Sequence, residues 1–323
     1  MPRPFLIDTD AGSDDAVAVL MALRHSDIDV AAITVVAGNV PLEQGVQNSL
    51  YFAELCQTDA PVYAGADRPL TREYVSADWF HGEDGLGDWG DRYKPRRSRV
   101  GEEHAVDAII ETVRSRPDIV IVTLGPLTNL ALALRKAPDI VSRVSRCIVM
   151  GGAACTNGNV TPAAEYNIWC DPEAAQIVFR SGLPIEMVGW EFSQGEFVLS
   201  PEDIDSLRGI GTEYADFTID CNIKGMRGYE IQTGEIGISL PDGVAMAVAI
   251  EPSIATSSSR HLVDIECRSE LTRGMTVVDK LDLADDARNI DTWREALKNP
   301  ARPLICWELD AARWKQMLYN LLR

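Results

Sequence analysis

Apolar and polar positions alternate along this chain on two periods. The run Phe5-Leu6-Ile7 stops at four aspartates within eight residues, Asp8, Asp10, Asp14 and Asp15, with Gly12 between them. Directly behind them, Ala16 to Leu23 is apolar throughout. That order predicts a buried strand, a tight turn and a helix start. The alternation continues with a strand from Ile28 to Gly38, a helix from about Leu42 to Cys56 and a short strand from Pro61 to Ala64. Asp67 to Gly101 then has little periodicity but many Gly, Asp and aromatic residues, among them Asp78-Trp79-Phe80-His81. Loops of that length inside compact domains are functional or disordered, and the aromatic content argues against disorder.

Alternation resumes with a helix from about Glu102 to Arg116 and a buried strand from Ile119 to Leu124. Gly125-Pro126-Leu127-Thr128-Asn129 turns into another helix, with Pro126 suited to its first turn. Cys147 to Met150 is the next strand, followed by Gly151-Gly152 and a polar loop to Asn167. Asp171 and Pro172 read as N-cap and first residue of a helix, and Pro184 to Trp190 as a strand. Ser200 to Gly237 reads as polar helices and Pro241 to Ile250 as a helix with Asp242 at its start. His261 to Val278 reads as short strands, Leu304 to Cys306 as a strand and Asp310 to Leu322 as a helix. Strands alternating with helices predict an α/β chain with a mostly parallel central sheet flanked by helices on both faces. Ligands then bind at the C-terminal ends of the strands. No repeat or linker interrupts residues 1–323, so one domain is expected.

With 46% hydrophobic residues the chain has material for a large core. Its net charge of -19 argues against a nucleic-acid partner, which would require clustered Lys and Arg. The basic stretch Lys94-Pro95-Arg96-Arg97-Ser98-Arg99 reads as a solvated loop. Seven cysteines, an odd number without a CxxC pair, read as reduced thiols. Met1-Pro2-Arg3-Pro4 leads straight into the first strand with no signal-peptide pattern, and no apolar run is long enough to span a bilayer. The expected location is cytoplasmic, with no membrane partner.

The chemistry lies after the strands. Asp8, Asp10, Asp14 and Asp15 follow the first, Asn39 the second, and Leu124 ends another. Met150, with Asn159, Glu165 and Asn167 in the loop behind it, and Asp242 complete the set. In a parallel sheet these points converge on one edge. Buried carboxylates repel unless a cation or polar ligand compensates them. Asp10, Asp15, Asp242 and one backbone carbonyl form a plausible oxygen-only cage for Ca²⁺. No His/Cys cluster suggests zinc. Simpler roles compete. Ser13 or Asp14 could cap the helix, which accounts for one or two carboxylates but not four. Asp8 reads as a brace, and Asp242 as a cap, a metal ligand or both.

Four ordered motifs resemble the inosine-uridine-preferring nucleoside hydrolases. They are Asp8-Thr9-Asp10-Ala11-Gly12-Ser13-Asp14-Asp15-Ala16, Thr123 to Asn129, Met150 through Glu165-Tyr166-Asn167 to Ala175, and Leu271-Thr272-Arg273-Gly274-Met275-Thr276-Val277-Val278-Asp279. The resemblance implies an open α/β fold, bound Ca²⁺ and cleavage of the N-glycosidic bond of ribonucleosides to base and ribose. It implies that Asp10, Asp15, the Leu124 carbonyl and Asp242 hold the calcium, and that Asp10 is general base on a calcium-bound water. It implies that Asp14, Asn39, Met150, Asn159, Glu165 and Asn167 contact the ribose. It also implies a role in nucleoside salvage and a homodimer or homotetramer. The transition state is oxocarbenium-like, and carboxylates and amide oxygens stabilise its charge.

The sequence departs from that pattern twice. Ala11 stands where many members have proline, a mild change because the glycine and all carboxylates remain. Pro241 stands where many have a histidine that protonates the leaving base. His81 is the alternative polar group, open between a site role and a loop-stabilising one. Trp79, Tyr166, Trp190 and Tyr229 are candidate base contacts, each also readable as structural; stacking would favour purines. Two other classes stay open: a haloacid-dehalogenase-type phosphohydrolase, whose signature also begins with two aspartates, and a catalytically weak riboside-binding protein.

Overall fold

The computed structural model describes residues 2–96, 100–298 and 302–323, so Arg97, Ser98 and Arg99 of the basic stretch lie outside the described residues. The strands are β1 (Arg3–Thr9), β2 (Ile28–Val35), β3 (Val62–Ala64), β4 (Ile119–Thr123), β5 (Val144–Met150), β6 (Ile185–Val188), β7 (Ala255–Arg260), β8 (Val263–Ile265), β9 (Thr276–Val278) and β10 (Leu304–Leu309). The helices are α1 (Ser13–Arg24), α2 (Leu42–Leu55), α3 (Asp78–His81), α4 (Ala105–Ser115), α5 (Thr128–Lys136), α6 (Tyr166–Cys170), α7 (Pro172–Phe179), α8 (Pro201–Arg208), α9 (Glu213–Cys221), α10 (Ile223–Thr233), α11 (Pro241–Ile250) and α12 (Ala311–Leu322).

Eight strands form one sheet in the order β3-β2-β1-β4-β5-β6-β10-β7. Every pairing is parallel except β10 with β7. β8 and β9 form a separate antiparallel pair. Alternation along β1 sends Phe5 and Ile7 to one apolar core, shared with α1, α2, α9, α11 and α12. Leu6 goes to the other, shared with α4, α5 and α7. β4 is buried at all five positions, which is why it reads as a continuous apolar run.

The topology opens a crevice at one edge of the sheet. From β1 the chain builds β2 and β3 to one side, then crosses to place β4 on the other side of β1. Such a reversal leaves a crevice outside the carboxyl ends of the two central strands. Asp8 of β1 stands level with Thr34 of β2 and Thr123 of β4, so the segments after these strands leave the sheet together. α1 and α11 pack against each other. α11 is buried at all ten positions, so it reads apolar on every side. Both helices direct their N-termini, and the aspartates there, toward the crevice.

Local details differ from the sequence reading. Gly12, not Ser13 or Asp14, is the N-cap of α1. Leu240 caps α11, so Asp242 is its second residue and not its cap. α5 starts at Thr128 after Leu127 as N-cap, leaving Pro126 outside the helix. Asp171 does cap α7, accepting from the Ala174 N–H at 3.0 Å. β7 is an edge strand that periodicity missed. Its Ala-Thr-Ser-Ser-Ser-Arg sequence has no apolar alternation, and its extended form comes from pairing with β10. Among the described residues no helix is long and apolar enough to cross a membrane.

Candidate active site

At the crevice lies a cavity of about 390 Å³. Asp14, Asn39, His81, Leu124, Met150, Asn159, Glu165, Asn167 and Asp242 all line it. Asp10 and Asp15 lie beneath, fully buried. The predicted set thus comes together from six separate stretches of chain.

Asp10 is held by Asn39, whose backbone N–H donates to Oδ2 at 2.7 Å and whose Nδ2 donates to Oδ1 at 3.1 Å. Asn39 Nδ2 also reaches Asp15 Oδ2 at 3.2 Å. Asp15 accepts from Thr9 Oγ1 and from the Gly12 N–H. Asp14, Asp15 and Asp242 each present a carboxylate oxygen within 4.8 Å of the others. Asp14 Oδ1 is buried with no hydrogen-bond partner. Burial, and then the neighbouring Asp15, push Asp14 up to about 8 and hold Asp10 well above the usual carboxylate range. Burial, and then Asp14, do the same to Asp242. These hard oxygen donors, one of them orphaned, fit a divalent cation such as Ca²⁺. Leu124 lines the same cavity, and its carbonyl accepts from Asn167 Nδ2 at 2.7 Å.

Asp8 stands apart. Its Oδ1 accepts from Thr34 Oγ1 at 2.6 Å and Asn129 Nδ2 at 2.9 Å, tying β1 to β2 and α5. Asn129 also donates to Val35 O and accepts from the Ala66 N–H. This is the brace expected of Asp8.

The opposite wall is α6 and the loop before it. Glu165 is the N-cap of α6, accepting from the Asn167 and Ile168 N–H groups, and it also accepts from the Gly152 N–H at 2.7 Å. Asn159 Oδ1 accepts from the Tyr166 N–H at 2.9 Å. Asn167 Nδ2 lies 3.3 Å from Met150 O. These polar groups are therefore fixed by the protein before any ligand arrives.

His81 ends α3. Its Nδ1 accepts from the Ser13 N–H at 3.3 Å and lies 2.9 Å from Ser13 Oγ, at the first turn of α1. A backbone N–H can only donate, so Nδ1 is bare and Nε2 carries the ring proton. Burial lowers its pKa to about 4, leaving the ring neutral at ordinary pH. Asp14 Oδ1 lies 3.8 Å from Nδ1.

Trp79, Tyr166 and Trp190 line the cavity as expected, but Tyr229 does not. Tyr229 is buried and donates to Glu235 Oε2 at 3.2 Å. Phe80, Trp169 and Gln232 line the cavity without having been singled out. Phe80 and Trp169 adjoin motif residues, which was the available signal; nothing in the sequence marked Gln232. Ala11 has φ +54, the left-handed region. Proline is fixed near φ -65, so the exchange at this position is not mild: this turn has a shape proline cannot adopt.

Comparison with known proteins identifies the family and the fold. The family model described as "Inosine-uridine preferring nucleoside hydrolase" matches residues 5–316. The pyrimidine-specific ribonucleoside hydrolase RihA of Shigella boydii is 38% identical over 298 residues, covering 90% of this chain and 92% of that protein. A plant nucleoside hydrolase structure, the PpNRh1 enzyme, superposes with a TM-score of 0.91 at 30% identity, covering 100% of this chain and 99% of that one. A purine-preferring ribonucleoside hydrolase from Gardnerella vaginalis superposes with a TM-score of 0.87 at 30% identity, covering 99% of this chain and 98% of that one. The phosphohydrolase alternative is thereby set aside: the chain belongs to the inosine-uridine-preferring nucleoside hydrolase family and is a ribonucleoside hydrolase acting on N-glycosyl bonds.

Proposed function

We propose that Asp10 is the general base of this hydrolase and that Asp10, Asp15, the Leu124 carbonyl and Asp242 hold Ca²⁺. The observation that carries this reading is the cluster of buried carboxylates Asp14, Asp15 and Asp242, with buried Asp10 acting on Asp15 and Asp242 from beside it, and no Lys or Arg pairs with any of the four among the described residues. Such a group is unfavourable alone and favourable around a cation. When bound, Ca²⁺ neutralises this charge and lowers the pKa of water.

The chain's own residues do the rest. Asp10, fixed by Asn39, takes the proton of the attacking water at one carboxylate oxygen. Asp14, Asn39, Met150, Asn159, Glu165 and Asn167 hold the ribose and stabilise the positive charge that develops on it. Pro241 has no proton to give, so His81 Nε2–H serves the departing base. Its neutral ring is the form that can hydrogen-bond a base nitrogen without adding a buried charge. The aromatic groups Trp79, Phe80, Tyr166, Trp169 and Trp190 exclude water on the base side.

We further read residues 1–323 as one domain acting in nucleoside salvage in the cytoplasm as a homodimer or homotetramer. A panel of purine and pyrimidine ribonucleosides and deoxyribonucleosides, assayed for reducing sugar beside metal analysis, tests the reading. Release of ribose with calcium present supports it. Nucleoside binding without ribose release, or zinc in place of calcium, overturns it.

A further inference from the structure

We infer that Arg273 is a positioning residue of this site: its guanidinium lies on the indole of Trp169 and holds that ring as a wall of the cavity. The inference rests on the reading above that the cavity takes the ribonucleoside. The motif Leu271 to Asp279 has no part in the chemistry so far described. It closes the β8–β9 hairpin, with Gly274 N–H donating to Glu266 O at 2.8 Å and Glu266 N–H to Met275 O at 3.1 Å. Arg273 Cζ stands 4.0 Å from the Trp169 ring centroid. Neither an ion pair nor a hydrogen bond of Arg273 occurs among the described residues. Glu173 and Glu270 act on Arg273 through space while pairing directly with Arg72, so the Arg273 guanidinium makes its direct contact with the indole and is used there for its flat surface.

Gly274 makes the approach possible. Its φ is +77, and a Cβ there would sit 2.7 Å from Trp169 Cα and 3.0 Å from Trp169 N. The hairpin turn therefore rests directly on α6. That helix has five residues, little more than one turn, and so no rigidity of its own. Glu165 fixes its start from the Gly152 side, and the hairpin fixes its end. Asn167 and Trp169 both line the cavity, whereas Arg273 does not. Arg273 thus acts through Trp169 and not on the ligand.

The test is a mutational cycle read by kinetics and by near-ultraviolet circular dichroism. Arg273→Ala is expected to raise KM about three- to tenfold, the size of one partly buried cation–π contact. Its kcat and melting temperature should stay close to the parent's. Arg273→Lys keeps the charge but loses the plane, and its KM should remain raised. In a Trp169→Ala background, Arg273→Ala should add nothing. With Trp169 present, the indole spectral change of Arg273→Ala should match part of that caused by Trp169→Phe. Full rescue by lysine, an undiminished effect in the Trp169→Ala background, or a fall in kcat and melting temperature with KM unmoved would each overturn the inference. If Arg273→Ala does not fold, Arg273→Lys carries the cycle. A parent protein that neither binds nor cleaves nucleosides defeats the functional reading instead, while the spectral cycle still decides whether Arg273 orders Trp169.

Discussion

Asn39 grips Asp10 at both carboxylate oxygens, with its backbone N–H on Oδ2 and its side-chain amide on Oδ1. One residue on the loop after β2 thereby sets the orientation of Asp10, the residue after β1 proposed above as the general base. Gly38 keeps the space: a Cβ there would lie 2.0 Å from Asp10 Oδ2. Asp10→Asn should cut kcat at least about 10³-fold while circular dichroism stays native. Asn39→Ala should lower kcat roughly 10- to 100-fold, as loss of an orienting partner does. Unchanged ribose release by Asp10→Asn would remove Asp10 from the mechanism.

His81 is expected to matter in proportion to how poor the leaving group is. His81→Ala should slow hydrolysis of natural ribonucleosides about 10²-fold or more. It should leave p-nitrophenyl riboside, whose phenolate departs without a proton, nearly untouched. Equal losses on both substrates would assign His81 to holding α1 through Ser13.

Metal removal should act on both stability and turnover. Chelation of the purified protein is expected to abolish ribose release and lower the melting temperature, and added calcium should restore both. Asp242→Asn should weaken calcium binding measured by calorimetry. A chelated protein that retains full activity contradicts the carboxylate cage.

Ala11 gives a conformational test. Ala11→Gly removes the penalty of a left-handed alanine and should stabilise the protein by about 0.5–1 kcal/mol in denaturant titrations. Ala11→Pro cannot hold φ +54 and should cost about 3 kcal/mol or more, with loss of activity, because Gly12, the N-cap of the helix turn that carries Asp14 and Asp15, follows directly. A stable, active proline variant would show that this turn re-forms in another shape.

Glu191 supplies the pH prediction. Burial raises its carboxyl to about 7, its Oε2 accepts from the Ala154 N–H at 3.3 Å, and its Oε1 is buried without a partner. The folded state therefore binds a proton that the unfolded state, near 4.5, has released. The contribution to stability is complete below about pH 4.5 and is lost as pH rises through 7. Glu191→Gln should remove that slope, raising stability at pH 8 by on the order of 1–2 kcal/mol and little at pH 5. Parallel melting curves of the two proteins across this range would argue against a buried proton at Glu191.

Much of the fold and of the site is legible in the sequence, because both are written in local patterns. β1, β4 and α1 announce themselves as apolar runs, and the Asp-rich turn between β1 and α1 is contiguous. Asp171 and Pro172 mark the start of α7 by chemistry that acts within three residues. Asp10, Asn39, Leu124, Met150 and the loop to Asn167 all come at or behind the ends of parallel strands, so the topology brings them to one edge, whereas Asp242 arrives on α11, which packs against α1.

What only the tertiary structure decided involves partners far apart in the chain. Nothing near Asp10 indicates that Asn39 would orient it, or that His81 would turn Nδ1 to Ser13 and keep its proton on Nε2. The edge strand β7 has no pattern of its own and exists through β10. Tyr229 and Trp169 are both aromatic residues on helices, yet the first is buried on α10 away from the cavity and the second walls it. The left-handed Ala11 is likewise set by its surroundings, with Thr9 Oγ1 accepting from its N–H and Asn48 Nδ2 donating to its carbonyl. The reason is common to all of these. Periodicity records which face of an element is buried, whereas orientation within the site is fixed by hydrogen bonds and packing that close only when distant segments meet.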